Sequence, residues 1–222
     1  MHRIKYIIIC SFIVFIILII LNIYPRQIDF VVPPRNYTNV DYINCLIDID
    51  KVFRNLSMPW FITFGTALAY WRSKDFISHD VDIGLFSHDL IAKRITTQQV
   101  ISTMTKQFQF ISRRHFGRID HGQEWSFLCP TSYLTVDIFV FYPLNQDNYW
   151  SATYTGLCDK MRYKKCRWKY RQFQLEQVQL FDKQMSIVPL TFIKERYGND
   201  YMIKKYYDYH DGLKILPNLI QE

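Results

Sequence analysis

The sequence predicts an α+β domain in which a small mixed β-sheet is backed by helices, and three observations lead to this class. Apolar side chains recur at steps of three or four through residues 41–56, which indicates an amphipathic helix. Residues 80–86 alternate acidic or small residues with apolar ones, and residues 133–142 form an apolar run rich in β-branched and aromatic residues, so both segments are predicted strands. The chain has no internal repeat, and its length suits one domain with one core.

The composition limits the domain count and the class of partner. At 222 residues the chain is long enough for one domain with a substantial core and too short for two domains of ordinary size. The formal charge of +7 and the pI near 9.1 suit an acidic ligand such as a nucleotide, an anionic membrane face, or no specific partner at all.

The first predicted element is a membrane-spanning helix at residues 6–23, a run without charged side chains. As a helix these residues would rise about 27 Å, close to the roughly 30 Å thickness of the hydrocarbon core. A cleaved signal peptide is the alternative. The run is longer than the roughly 7 to 15 apolar residues of a signal peptide, and no A-x-A-like site follows before Pro25, so we expect an uncleaved anchor.

The flanking sequence predicts how the chain is divided and where it resides. Basic residues lie on both sides of the apolar run and only slightly favour a cytoplasmic amino terminus. Asn36 and Asn55 begin Asn-x-Ser/Thr glycosylation sequons, which are usable only in the secretory lumen. We therefore expect a single-pass type II membrane protein of the Golgi or ER, with a tip and anchor at 1–24, a proline-containing stem at 25–39 and a lumenal catalytic domain at 40–222.

The cysteines suit an oxidising compartment but do not reveal their pairing. Cys10 lies in the predicted anchor, which leaves four cysteines in the domain: Cys45, Cys129, Cys158 and Cys166. Four cysteines permit three pairings, and no CxxC pair marks a zinc ribbon. Buried free thiols and a Cys158–Cys166 bridge both remain open.

The remaining elements follow in chain order. Residues 60–64 are predicted to form a strand, Gly65 and Thr66 a tight turn, and residues 67–72 a short helix. A longer helix is predicted over residues 88–107. Residues 160–173 form a basic, aromatic segment, and Tyr197-Gly198 is predicted to end a helix in a glycine turn.

Three aspartates within or beside apolar strands are the candidate chemical centre. In a strand, Asp80 and Asp82 share one face, and Asp137 interrupts the apolar strand at 133–142. Buried carboxylates repel one another unless a cation compensates them, and Mg²⁺ or Mn²⁺ prefers such oxygen ligands. His79 adjoins the pair, but strand alternation would direct it away from the carboxylates. The alternative interpretation is a polar loop edge or a helix cap for Asp80 and Asp82, and a solvent-facing acid on an edge strand for Asp137.

Gly65 and Thr66 add to this pattern, with 13 residues between Thr66 and Asp80. A glycine where a strand turns into a helix lets backbone N–H groups approach a phosphate closely. The order Gly-Thr, Asp-x-Asp, Asp is much more specific than any of its parts.

This order resembles the nucleotidyltransferase fold, and the local sequence is similar to the fukutin and LicD family of phosphotransferases. Five blocks carry the resemblance in the right order: GTALAYWR (65–72), HDVDIGLF (79–86), EWSFL (124–128), TVDIFVFY (135–142) and RYGNDY (196–201). The resemblance implies a nucleotidyltransferase-like mixed sheet, a CDP-linked alcohol such as CDP-ribitol or CDP-choline as donor, and a glycan or glycoprotein as acceptor.

The resemblance also implies roles for particular residues. Asp80 and Asp82 would be metal ligands, and Asp137 either a third ligand or the base that deprotonates the acceptor hydroxyl. Gly65 and Thr66 would face the donor phosphates, with Arg72 assisting. Arg162 and Lys164, in the basic segment, are candidates to grip a diphosphate or an anionic glycan, although a solvated charged surface would have the same composition.

Two rival functions use the same residues. A nucleotidyltransferase would take an NTP and release pyrophosphate, whereas a non-catalytic relative would bind or scaffold glycans without turnover. The expected lumenal location argues against a nucleic-acid module, because a lumenal domain would seldom meet nucleic acid. Glycosyltransferase partners or a homo-oligomer are further expectations.

Overall fold

The computed structural model describes residues 36–155, 164–180, 183–205 and 218–220, all within the compact unit Val32–Glu222. The predicted anchor at residues 6–23 and nearly all of the predicted stem lie outside the described residues. Within the described part of the chain, no helix is both long enough and apolar enough to cross a membrane.

Helices and strands are interspersed, as the sequence predicts. The described helices are α1 Asn39–Asn55, α2 Phe64–Ser73, α3 Ser87–Ala92, α4 Thr97–Ser102, a π-helical turn Thr103–Gln107, and α5 Leu190–Tyr197. The described strands are β1 Phe61–Ile62, β2 Val81–Phe86, β3 Ile111–Phe116, β4 Glu124–Leu128, β5 Thr135–Pro143, β6 Asn148–Thr155, β7 Lys164–Arg171, β8 Glu176–Leu180, β9 Lys183–Ile187 and β10 Leu219–Ile220.

All of these strands join one mixed sheet, in the order β10-β7-β6-β5-β2-β1-β9-β8, with β4 pairing β5 and β3 pairing β4. The pairs β2–β5 and β1–β9 are parallel, and the other described pairs are antiparallel. Strand β5 pairs with β4 through residues 135–139 and with β6 through residues 141–143. The expected α+β class with a mixed sheet and helices is confirmed, and the sheet is larger than expected.

Helix α1 forms for local reasons and is then held by its apolar side. Thr38 accepts a hydrogen bond from the N–H of Asp41 while the Asp41 carboxylate accepts from the N–H of Thr38, a capping box that satisfies free donors at the helix start. Leu46, Ile49 and Val52 are all 0% exposed, so the predicted amphipathic spacing is the one that packs into the core.

A disulfide between Cys45 and Cys129 ties α1 to the end of β4, with the two Cα atoms 5.9 Å apart. Cys166 is also disulfide-bonded. The interpretation of these cysteines as buried free thiols is therefore wrong. The sequence did not reveal the pairing, because Cys45 and Cys129 are 84 residues apart and only the packing of α1 on the sheet brings them together.

Two predicted elements have different bounds in the structure. The helix expected over residues 88–107 is interrupted, because Arg94 adopts a left-handed conformation (φ 55°) and a capping box between Thr96 and Gln99 begins a new helix. The helix after β1 begins at Phe64, so Gly65 and Thr66 lie in its first turn and not in a separate loop. The predicted end of the last helix at Gly198 is confirmed, with φ of 88°.

Candidate active site

Three carboxylates meet at the amino-terminal ends of the parallel strands β2 and β5. Asp82 pairs in register with Asp137, and Asp80 lies in the bend just before β2. One carboxylate oxygen from each residue lies within 4.8 Å of the other two. The expectation that Asp80 belongs to the strand is wrong by one residue, but the structure brings all three acidic side chains together.

The first turn of α2 holds Asp82 in place. The Asp82 Oδ2 atom accepts hydrogen bonds from the backbone N–H of Gly65 at 2.9 Å and of Thr66 at 3.4 Å. The Thr66 hydroxyl accepts from the Asp82 N–H at 2.8 Å and donates to the Asp80 carbonyl at 3.1 Å. The helix start, whose N–H groups favour a negative charge, is thus directed at Asp82.

Glycine is required at position 65 for reasons of space. A Cβ atom there would lie 2.9 Å from Asp82 Oδ2 and 2.7 Å from Ser78 Oγ. Such separations are closer than normal contacts allow. Gly65 and Thr66 were predicted to face substrate phosphates; in the structure their N–H groups contact Asp82, and the substrate role stays a prediction.

Burial raises the pKa values of the three carboxyl groups, and for Asp80 and Asp82 the negative charge of their neighbours adds to this effect. Burial, followed by repulsion from Asp82 and Asp137, raises the pKa of Asp80 well above its ordinary value. Burial and then repulsion from Asp137 raise the pKa of Asp82 to about 7, although the N–H donors of α2 and the charge of Arg196 act in the opposite direction. The pKa of Asp137 is also raised, chiefly by burial.

The residues present fit a hard divalent cation. All the ligand atoms are carboxylate oxygens, which Mg²⁺ and Mn²⁺ prefer. Around a Mg²⁺ ion neighbouring oxygens lie roughly 3 Å apart and opposite oxygens roughly 4.2 Å apart, so oxygens within 4.8 Å of one another would reach one ion after side-chain adjustments of roughly 1 to 2 Å at most. A cation would also relieve the repulsion that raises the pKa values.

A cavity of about 220 Å³ opens beside Asp80 and Asp137. Its other walls come from β3, β4, β5, β6 and the residues before β2: His79, Arg113, Arg114, Phe116, Glu124, Ser126, Thr135 and Tyr154. His79 is exposed and lines the cavity next to Asp80; because residues 79 and 80 precede the strand, alternation does not orient its side chain, whose direction stays a prediction.

Glu124 is a site residue that the sequence interpretation missed. It is the first residue of β4 and faces the same side as Ser126, which lies opposite Asp137 in the antiparallel register. The backbone N–H of Tyr154 donates to Glu124 Oε2 at 2.8 Å. Burial, then the charge of Asp137, raises the pKa of Glu124 to about 8. The block EWSFL contained the signal, since Glu124 and Ser126 alternate with buried apolar residues.

Arg196, the first residue of the block RYGNDY, also lies near the carboxylates and was missed. It is 9% exposed, and its guanidinium lies over the Trp168 ring at 3.9 Å. Its positive charge lowers the pKa of Asp82, which indicates that the last turn of α5 is electrostatically coupled to the cluster.

Several predicted site residues are placed elsewhere. Arg72 lies in the last turn of α2, at the opposite end of that helix from Gly65, and does not line the cavity. Arg162 lies outside the described residues, and Lys164 begins β7. Asn36 and Asn55 are both exposed, so each is accessible to modification.

Comparison with known proteins agrees with this geometry. The sequence profile described as "LicD/FKTN/FKRP, nucleotidyltransferase domain" matches residues 57–189, more than half of the chain. The matched range includes the three aspartates, Gly65 and Glu124.

Two relatives are each named "Ribitol-5-phosphate transferase FKTN", one from Macaca fascicularis and one from Homo sapiens. Each is 26% identical over 157 residues, which is 69% of this chain. The aligned region is 31% of the length of each relative, so this chain spans about a third of these proteins. On the strength of the profile match, and in agreement with the clustered aspartates, the chain belongs to the LicD/FKTN/FKRP nucleotidyltransferase-domain family.

Proposed function

We propose that this protein transfers a phospho-alcohol group, of the ribitol-phosphate or phosphocholine type, from a CDP-linked donor to a hydroxyl of a glycan or glycoprotein. The observation that carries the proposal is the convergence of Asp80, Asp82 and Asp137 beside an open cavity. Family membership and the name of the two relatives support the class of reaction.

In this reaction the acceptor oxygen forms a bond to the phosphorus atom of the alcohol phosphate. The bond between that phosphorus and the bridging oxygen of the diphosphate breaks, CMP leaves, and the acceptor proton passes to a base. Asp80, Asp82 and Asp137 would hold Mg²⁺ or Mn²⁺, which when bound neutralises charge on the phosphate oxygens and on the leaving group.

We assign Asp137 to the metal-binding set and the role of base to Glu124. Asp137 has an oxygen within 4.8 Å of both other aspartates, a grouping that Glu124 does not share. Glu124 lines the same cavity, and the N–H of Tyr154 holds its Oε2 atom. In the described part of the chain no hydrogen bond to its Oε1 atom is found, so this oxygen is free to accept a proton from a hydroxyl.

The chain's own residues keep this arrangement rigid. The two N–H groups at the start of α2 orient Asp82, and register pairing with β2 positions Asp137. Ser126 donates a hydrogen bond to Asp137 and thereby favours its ionised form.

The test uses the purified full-length chain with Mn²⁺, CDP-ribitol or CDP-choline, and glycan acceptors. CMP release that depends on metal and acceptor is expected, and Asp82→Asn should abolish it. Asp147→Asn, at an exposed position outside the cavity, is the matched control and should retain activity. CMP release unaffected by Asp82→Asn would contradict the mechanism.

The same assay separates the rival functions by product. Pyrophosphate release from an NTP would indicate a nucleotidyltransferase. A non-catalytic relative would bind glycans in calorimetry. It would show no turnover, no dependence on metal and no nucleotide binding.

We further propose that the protein is a type II membrane protein whose catalytic domain faces the Golgi or ER lumen. The disulfide between Cys45 and Cys129 suits an oxidising compartment, and exposed Asn36 and Asn55 suit lumenal glycosylation. Glycosidase treatment of the expressed chain should increase its gel mobility, and Asn36→Gln with Asn55→Gln should remove that shift. A chain that carries no glycan would contradict this topology.

A further inference from the structure

Two adjacent arginines on β3, Arg113 and Arg114, line the cavity beside the carboxylates. Neighbouring residues of a regular strand point to opposite faces of the sheet, so adjacent side chains should not both reach one cavity. The pairing of β3 with β4 explains the exception. Ser112 lies opposite Phe127 and Arg114 opposite Ser126, so Arg113 is an extra residue that forms a β-bulge.

The bulge places both arginines opposite Ser126. In such a bulge two residues of one strand face a single residue of the partner, which redirects a side chain. Ser126 in turn lies opposite Asp137, which lies beside Asp82. A row across four strands therefore runs from the arginines through Ser126 to the carboxylates.

The arginines act on the carboxylates through space, since both lower the pKa of Asp137, but among the described residues neither is in direct ion-pair contact with a carboxylate. Arg113 Nη1 donates to the Thr135 hydroxyl at 2.9 Å, which orients its guanidinium. In the described residues no carboxylate lies within the 4.0 Å ion-pair distance of either arginine, although Asp80, Asp137 and Glu124 line the same cavity. Space therefore remains between the cationic wall and the acidic wall.

An anion bound against the arginines would at the same time be able to contact a cation held by the aspartates. Guanidinium groups bind phosphate oxygens through paired, charge-assisted hydrogen bonds. A volume of about 220 Å³ leaves room for a phosphate group together with part of the molecule that carries it. Acidic and basic walls facing one cavity thus match a metal-bound phosphate ester better than a neutral sugar.

We propose that Arg113 and Arg114 form a phosphate-binding wall that holds a phosphate group of the substrate beside the metal carboxylates. This inference rests on the proposed phosphotransfer and deepens it. The phosphate could belong to the donor diphosphate or to a phosphorylated acceptor, and the chemistry of recognition is the same for both.

The direct test is the binding of inorganic phosphate to the full-length chain in the presence of Mg²⁺, measured by calorimetry. Arg113→Gln and Arg114→Gln should each weaken binding about 10- to 100-fold, the loss expected for a hydrogen bond to a charged group. Arg114→Lys, which keeps the charge but not the paired donors, should weaken binding less. Arg118→Gln removes an arginine that pairs with Asp120 on the surface and should not change binding.

Steady-state kinetics then identifies the source of the phosphate. A rise in the KM for CDP-ribitol would assign the wall to the donor, and a rise only in the KM for a phosphorylated acceptor would assign it to the acceptor. Phosphate binding that is unchanged in both glutamine variants, or a fall in kcat with both KM values unchanged, would overturn the inference. Because phosphate binding does not require turnover, failure of the proposed function would be seen separately, as arginine-dependent binding without CMP release.

Discussion

The two faces of strands β2 and β5 differ at the amino-terminal ends of the strands, although their residues alternate along the same chain. On one face Val81, Ile83, Val136 and Ile138 are all 0% exposed and belong to the hydrophobic core. On the other face Asp82 and Asp137 lie side by side at the amino-terminal ends, and buried Phe139 and Phe141 follow them along β5. The apolar face stabilises the fold, whereas the acidic face concentrates like charge and costs stability unless a cation binds. Because β2 and β5 pair in register, the residues that stabilise the fold and the carboxylates stay on separate faces of the sheet.

The largest effect should come from the acidic face. Asp137→Asn removes one carboxylate of the proposed metal set, and we expect CMP release to fall roughly a thousandfold or more, since metal stabilisation contributes several kcal/mol. The same substitution removes a repelling charge, so the metal-free variant should melt at a higher temperature than the wild type at pH 8. Loss of activity together with loss of folding would contradict the separation of the faces. Asp147→Asn, at an exposed position outside the cavity, is the control and should change neither CMP release nor the melting temperature.

A substitution on the apolar face should have the reverse pattern. Ile138→Ala leaves a cavity in the core and is expected to lower the free energy of unfolding by about 3 kcal/mol, measured by urea denaturation. At a temperature where the variant remains folded, its metal dependence and KM values should match those of the wild type. A changed metal affinity would show that the two faces are energetically coupled.

The pH dependence of stability tests the cost of the acidic side of the sheet. The pKa of Asp82 is raised to about 7 and that of Glu124 to about 8, whereas the ordinary values are 3.8 and 4.5. The folded state therefore holds protons that the unfolded chain releases. Stability should be fully present below pH 4 and should fall as pH rises to about 8, by at most about 1.4 kcal/mol per pH unit for each carboxyl.

This loss of stability should appear as a melting temperature that falls between pH 5 and pH 8 when EDTA is present. Excess Mg²⁺ should make this fall with pH less steep. Asp82→Asn should also flatten it. A metal-free melting temperature that is constant over this range would show that the carboxylates are compensated by other means.

The smallest effect should come from a substitution at Gly65, whose backbone N–H donates a hydrogen bond to Asp82. Gly65→Ala places a Cβ atom against Asp82 Oδ2 and Ser78 Oγ, so the carboxylate must shift. We expect about a tenfold fall in kcat and a higher Mn²⁺ requirement, because a misplaced catalytic group is costly.

Gly84→Ala is the matched comparison for Gly65→Ala. Its added Cβ atom would meet the Phe61 ring at 2.3 Å, away from the carboxylates. It should lower stability and leave the Mn²⁺ requirement unchanged. If both alanine variants changed the Mn²⁺ requirement alike, the support role of Gly65 would be disproved.

Much of the fold and part of the site could be predicted because their signals are local. The helix α1 follows from a capping box and from apolar spacing within 17 residues. Asp80 and Asp82 were expected to lie together because they are two residues apart, and they do so although Asp80 precedes β2; Gly65 is visible in the sequence 15 residues before Asp80. The bounds of α3 and α4 were missed because their break depends on a left-handed residue at Arg94 and a new cap at Thr96.

The amino-acid sequence by itself determined helix α1, the short helix after β1, the apolar strands β2 and β5, and the acidic residues within or beside these strands, since these depend on spacings of two to four residues. Only the tertiary structure decided that Asp137 lies beside Asp82, that Cys45 meets Cys129, and that Glu124 and the β3 arginines share the cavity. The physical reason is that strand register, the bulge at Arg113 and the packing of α1 depend on contacts between segments far apart in the chain. Such contacts leave no periodic pattern in the sequence from which they could be predicted.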